Sequence, residues 1–255
     1  MATFKCLLVG ENSLLIQCAD ILIQNGCTIA GIATETATIR DWAIERQIPL
    51  IDTSNGIGPQ LFAFEYDWLF SIANLRIIPD AAWKQARFGG INFHDGALPQ
   101  VAGLNTPSWS LIEGRDSHGV TWHAITSGID EGDIHVAETF AIGPDDTSLT
   151  LNTRCYEAGI ESFGRLVRDL TADNLQRTPQ DLSQRSYYAK RRRPEAAGTL
   201  RLDRSASELS RLFRGLSYGT GYRNPLAMPK IATPHGVFLV QELKVLDHTG
   251  GASGP

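Results

Sequence analysis

In Ile91-Asn92-Phe93-His94-Asp95-Gly96-Ala97-Leu98-Pro99, polarity alternates for four residues and then gives way to a turn. Alternation puts Asn92 and His94 on one face of a strand and Ile91 and Phe93 on the other. Gly96, free to take an unusual backbone angle, and Pro99, which fixes one, predict that the strand ends there in a shaped loop. An amide and an imidazole thus sit at the carboxyl end of a strand, where open parallel α/β sheets bind ligands.

The segments on either side of this strand support that frame. Phe4 to Gly10 is a short apolar run, an amphipathic helix is predicted over 13–25 and a second strand over 28–33, which makes a βαβ opening. A helix over 38–46, an extended stretch over 48–52, a buried strand over 68–72 and a helix over 81–87 follow. The fold class read from this order is α/β, a Rossmann-like, mainly parallel sheet. Downstream of the site strand come a helix over 107–113, a strand over 119–125 with alternating Val120, Trp122 and Ala124, and a long amphipathic helix over 147–172. The strand over 119–125 returns the chain to the same rim at Gly128-Ile129-Asp130-Glu131-Gly132-Asp133. If Asp130 accepts a hydrogen bond from His94, it orients the ring and favours its charged form. Asn92 offers an N–H to a developing oxyanion. Taken singly, a histidine is more often a structural hydrogen-bonder and an aspartate in a glycine-rich loop a turn former. Their combination on an otherwise apolar strand is what points to chemistry.

Composition narrows the function classes. Apolar residues make up 42% of the chain and charged residues 20%, as in ordinary globular proteins. The net charge of -5 argues against a general nucleic-acid binder. The loop Gly10-Glu11-Asn12-Ser13 is not GxGxxG, and no GxxxxGK[ST] occurs, which disfavours dinucleotide or triphosphate binding in a glycine-rich cradle. Cys6, Cys18, Cys27 and Cys155 show no CxxC pairing and fit buried thiols of a reducing cytoplasm. No run reaches membrane-spanning length, so a cytoplasmic protein with no membrane partner is expected. Glu131 and Asp133 lack the spacing of a cation loop, and no metal is expected. The polar, basic stretch over 174–198, with Lys190-Arg191-Arg192-Arg193, reads as a solvated linker. A helix over 205–213 capped by Ser205, then strands over 230–233 and 237–246, form a small β-rich C-terminal subdomain that reads as incomplete.

At Asn92-Phe93-His94, Leu98-Pro99, Gly119-Val120-Thr121 and Ile129-Asp130-Glu131-Gly132-Asp133 the chain resembles the formyltransferases that use 10-formyltetrahydrofolate. Tyr187-Tyr188-Ala189-Lys190 and Glu195 resemble the connection to their small C-terminal domain. The resemblance implies a catalytic domain over 1–173, a linker over 174–199 and the small subdomain over 200–255. It assigns Asn92, His94 and Asp130 to the catalytic triad. It also places the pterin of the donor beside Arg76-Ile77-Ile78, under the loop 125–130. Main-chain groups near Arg76, Ile78, Thr126 and Gly128 would meet the pterin edge, and Ile77, Ile78 and Ile129 would supply apolar walls.

The acceptor implied is an amine. Relatives that modify initiator tRNA carry a basic, glycine-rich insertion after the second strand, whereas Ala33-Thr34-Glu35-Thr36-Ala37-Thr38 is short and acidic, so no nucleic acid is expected as partner. His118-Gly119-Val120-Thr121-Trp122-His123 resembles both the enzymes that formylate nucleotide-linked amino sugars and the formylation domains of nonribosomal peptide and polyketide synthetases, and Asn224-Pro225-Leu226 with Pro229-Lys230 resembles the synthetase group more. That resemblance implies an amino acid, or an aminoacyl group on a carrier protein, as acceptor in natural-product biosynthesis, the chain being either an excised domain or a stand-alone piece of a larger assembly. A nucleotide-linked amino sugar, hydrolysis of the donor and a non-catalytic docking domain are the alternatives. Asp95, where the family commonly has Ser, would either hold an acceptor ammonium or form the turn.

Overall fold

The computed structural model describes residues 3–53, 56–219 and 221–246. The stretch over 250–255 and Met1-Ala2 lie outside the described residues. The elements run β1 (Lys5–Gly10), α1 (Ser13–Gln24), β2 (Thr28–Ala33), α2 (Ala37–Glu45), β3 (Leu50–Ile51), β4 (Trp68–Ile72), α3 (Asp80–Gln85) and β5 (Gly89–His94). They continue with β6 (Ala102–Gly103), α4 (Thr106–Ile112), β7 (Ser117–Ala124), β8 (Ile134–Ala141), α5 (Ser148–Thr171), β9 (Tyr187–Tyr188), α6 (Ala206–Leu216), β10 (Lys230–Thr233) and β11 (Gly236–Leu239).

Seven strands form the main sheet in the order β3-β2-β1-β4-β5-β7-β8. The first five run parallel, as the βαβ reading requires, while β7 pairs antiparallel with β5 and β8 antiparallel with β7. The edge strand β8 was not expected from the sequence. Its half-exposed alternation leaves only a weak apolar signal.

Buried on both faces, the central strands feed two cores. On one side Leu8, Phe70, Phe93 and Trp122 meet α1 and α5 through Leu14, Cys18, Phe163 and Leu166. On the other, Leu7, Val9 and Leu69 pack against Ile78 and Ala82. Helix α5 starts at a capping box in which Thr147 and Thr150 satisfy each other's main-chain N–H. It is tied to the sheet by Trp122 Nε1 donating to Ser162 Oγ at 2.9 Å. Phe163 lies with its ring centroid 4.7 Å from Trp122 and 5.4 Å from Phe70. All four cysteines are free and buried.

The segment over 174–198 is more than a solvated connection at Tyr188, which is fully buried and pairs through β9 with β6. Its ring stacks on Trp109 at 5.4 Å in a third apolar cluster with Val101, Leu216 and Leu226. Arg192 covers both rings, 4.6 Å from Trp109 and 4.8 Å from Tyr188, and pairs with Glu113. Helix α6 begins at the expected Ser205, whose side chain caps Glu208 N. Hairpin β10–β11 is shorter than expected, ending at Leu239, with Val237, Phe238 and Leu239 exposed.

Candidate active site

Strand register brings the expected residues together. Antiparallel pairing sets Asn92 opposite His123 and His94 opposite Thr121, and the loop after β7 returns Asp130 to the carboxyl end of β5. Asp130 Oδ1 lies 3.7 Å from His94 Nδ1 and 3.6 Å from His123 Nε2. These separations exceed a hydrogen bond. Asp130 Oδ2 accepts from Gly103 N at 2.8 Å. All three ionisable side chains are at least nine-tenths buried.

The hydrogen-bond partners fix which ring nitrogen carries a proton. His94 Nε2 is 2.7 Å from Val101 O, and a carbonyl only accepts, so that nitrogen is the donor. In the neutral ring Nδ1 is then bare and faces Asp130. His123 Nδ1 likewise donates to Ala124 O at 2.9 Å, which leaves Nε2 to accept from Asn92 Nδ2 at 3.1 Å. That bond sets the orientation of the Asn92 amide. Burial pushes the Asp130 carboxyl up, yet the His94 and His123 rings together with the Gly103 N–H outweigh it and hold the group well below the usual carboxylate range.

Two glycines make room for this geometry. A Cβ on Gly96 would run into Val101 O and stand 2.6 Å from His94 Nε2, so the position is kept open for the His94–Val101 bond. Space, rather than an unusual backbone angle, is the requirement there. Gly103 has φ +97°, and a Cβ on it would stand 2.8 Å from Tyr188 N. The loop between β5 and β6 is fastened from the far side by His118, whose Nε2 donates to Asp95 O at 2.9 Å while Nδ1 accepts from Ser110 Oγ at 2.9 Å. Burial pushes the His118 pKa down to about 4, against the Asp95 bond that favours its charge. Asp95 Oδ1 accepts from Thr106 Oγ1 at 3.0 Å and lies 3.9 Å from His94 Nδ1. It is a loop former at the edge of the site.

The residues expected around a pterin take different places. Ile77 is 81% exposed and Ile129 47%, while Ile78 turns into the core. Arg76 N donates to Asn74 Oδ1 and Arg76 O accepts from Asn74 Nδ2, so this N–H is satisfied within the chain. The Arg76 guanidinium pairs with Glu11 and with Glu35. Thr126 Oγ1 donates to Gly128 O at 3.2 Å. Ser127 Oγ donates to Asp80 Oδ2 at 2.7 Å and joins the loop 125–130 to the start of α3, beside residues 76–78. Sequence reasoning passed over His123 as a site residue. Its signal was the polar alternate face of β7, Thr121 and His123, next to the polar face of β5. Among the described residues no group of three potential metal ligands converges, and no helix is long and apolar enough to cross a membrane.

Residues 52–167 match the family described as formyl transferase. The methionyl-tRNA formyltransferase of Syntrophus aciditrophicus is 27% identical over 237 residues, spanning 87% of this chain and 75% of the relative. The chain belongs to the formyltransferase family. It is an enzyme that transfers one-carbon groups. Solved structures agree on the fold of this formyltransferase. A 4-N formyltransferase from Francisella tularensis superposes with a TM-score of 0.72 at 20% identity, over 95% of this chain and 99% of that one. The N-formyltransferase of Helicobacter canadensis, solved with folinic acid and dTDP-3-aminofucose, gives 0.69 at 17% identity over 82% and 79%.

Proposed function

We propose that the protein moves a formyl group from 10-formyltetrahydrofolate to an amine, with Asn92, His94 and Asp130 as its catalytic residues. The observation that carries this reading is the meeting of an amide, an imidazole and an ionised carboxylate at the carboxyl end of β5. Each has a role that its partners dictate. Asn92 has one amide hydrogen on His123 and directs the other at the oxygen that gains charge as the amine attacks the formyl carbon. His94, with Nε2–H committed to Val101 O, takes the amine proton at Nδ1. Asp130 stabilises the resulting imidazolium and, held well below the usual carboxylate range, acts as a fixed charge rather than a store for the proton. His94 then returns that proton to the donor nitrogen as its bond to the formyl carbon breaks. One C–N bond forms and one breaks, and the proton lost by the amine ends on the leaving nitrogen.

For the donor, exposed Ile77 and Ile129 offer apolar walls that suit the flat face of a pterin. For the acceptor, we favour an amino acid or an aminoacyl group on a carrier protein. Exposed Arg191 and Arg193 suit an acidic carrier through charge steering. The connection after β2 supports a small acceptor over tRNA, being short and drawn in by Glu11, which accepts from Thr34, Thr36 and Glu35 N. A nucleotide-linked amino sugar is the second reading, favoured by the sugar-modifying enzymes among proteins of the same fold. Incubation with 10-formyltetrahydrofolate and each class of amine, followed by mass spectrometry, tests both. Formylation of the aminoacyl carrier or free amino acid is expected, exclusive formylation of the amino sugar selects the second reading, and formate release without any acceptor overturns both.

A further inference from the structure

Asp130 has φ +56°, in the left-handed region that residues other than glycine seldom occupy. Its loop is rich in glycine and charge, and β-carbon packing does little to fix such a segment. The grip comes from far along the chain. Gln180 Nε2 donates to Asp130 O at 3.1 Å and to Gly132 O at 2.6 Å. Arg185 Nη2 donates to Ile129 O at 2.8 Å, and its guanidinium lies 3.6 Å from Glu131 Oε1. Just before them, Thr178 and Ile134 exchange both main-chain hydrogen bonds, at 2.8 and 2.9 Å. Just after them the chain enters β9, which pairs with β6 and so aims Gly103 N at Asp130 Oδ2.

One stretch, 178–188, therefore holds both ends of the aspartate. It binds the carbonyls of residues 129, 130 and 132 directly and the carboxylate through β6. Gln180 shows what this arrangement selects. Its Nε2 serves two carbonyls while its Oε1 is buried without a partner. A buried unpaired oxygen is unfavourable, so the amide is useful here for its N–H pair.

We propose that Gln180, with Arg185 beside it, is the positioning residue that sets the Asp130 carboxylate against His94 and His123; the catalytic consequence rests on the role given to Asp130 above. Gln180 touches no reacting atom. It acts by fixing the main chain from which the carboxylate projects, and a displacement of about 1 Å in such a group lowers turnover about 100-fold.

Gln180→Glu tests this without changing shape, because it replaces the donor that faces two carbonyls by an acceptor. Gln180→Leu removes the donor without adding charge. Circular dichroism and thermal melts first establish that each variant is folded. The expected result is a kcat lowered about 100-fold with KM for donor and amine within about 3-fold, the pattern of misplaced chemistry rather than lost binding. Titration of the aspartate carboxyl carbons by 13C NMR gives a reading that needs no turnover. In the wild type the Asp130 signal, assigned by Asp130→Asn, stays that of a carboxylate down to pH 4. In the Gln180 variants, burial persists while the imidazole contacts loosen, so the signal titrates above pH 4. An unchanged Asp130 titration in a folded variant, or a kcat within about 2-fold of a working wild type, overturns the proposal. A wild type that transfers no formyl group refutes the catalytic reading, and the NMR result then still decides whether Gln180 positions the carboxylate.

Discussion

Asp130→Asn isolates the charge at the centre of the site. The substitution keeps the side-chain volume, an acceptor for Gly103 N, and a residue type that tolerates the left-handed backbone. What it removes is a unit charge 3.7 Å from His94 Nδ1 and 3.6 Å from His123 Nε2. At an effective dielectric constant of about 20, one imidazolium–carboxylate pair at that distance is worth about 4 kcal/mol. Only the share realised as the proton arrives on His94 lowers the barrier. Between half and all of it, about 2 to 4 kcal/mol, corresponds to a loss of about 30- to 1000-fold in kcat. The assay is steady-state release of tetrahydrofolate at saturating donor and amine, with folding checked by circular dichroism. The sign of the pH dependence is set by a depressed pKa. Stability from the Asp130 charge is complete above the unfolded value of about 3.9 and is lost only as pH falls through the lower folded value. The wild-type rate profile between pH 5 and 8 should therefore carry no inflection from this group. Turnover of the folded variant within about 3-fold of wild type would refute the electrostatic role.

Two further outcomes follow from the supports around the site. Gly103→Ala places a Cβ against Tyr188 N in backbone with φ +97°, so it should lower stability by about 2 kcal/mol or more, read as a drop in Tm, and reduce kcat because Gly103 N leaves Asp130. His118, buried with a pKa lowered to about 4, is neutral when folded and protonates in the unfolded chain below about 6.5. Its contribution is thus lost as pH falls from 6.5 toward 4, up to about 3 kcal/mol. His118→Gln should flatten urea midpoints across that window, and an unchanged slope would place the acid sensitivity elsewhere.

Much of the frame was legible because single elements carry their own periodicity. The alternation at 91–94 put Asn92 and His94 on one face and turned Phe93 to the core face, where its ring centroid lies 5.0 Å from that of Trp122 on the neighbouring strand. Helix α5 announced itself through its spaced apolar residues, whereas its Thr147–Thr150 capping box is visible only in the structure. What stayed hidden depends on pairing between distant segments. His123 belongs to the site only because β7 runs antiparallel beside β5, and no local pattern states that register. The stretch over 174–198 reads as polar chain because it attaches through isolated side chains, Gln180, Arg185 and Tyr188, rather than a repeating apolar face. At Gly96 the sequence points to an unusual backbone angle, whereas the structure uses the missing Cβ to leave space for the His94–Val101 hydrogen bond. Ile78 and Ile77 look alike in sequence, yet one faces the core and the other solvent.

The most direct test is a crystal structure with an amine acceptor and a folate whose formyl group cannot be transferred. The account predicts the formyl oxygen within hydrogen-bonding distance of Asn92 Nδ2 and the amine nitrogen within reach of His94 Nδ1, with Asp130 drawn closer to both imidazoles than it stands now. A formyl carbon lodged away from the carboxyl end of β5, or an Asn92 amide turned from it, would contradict the central claim.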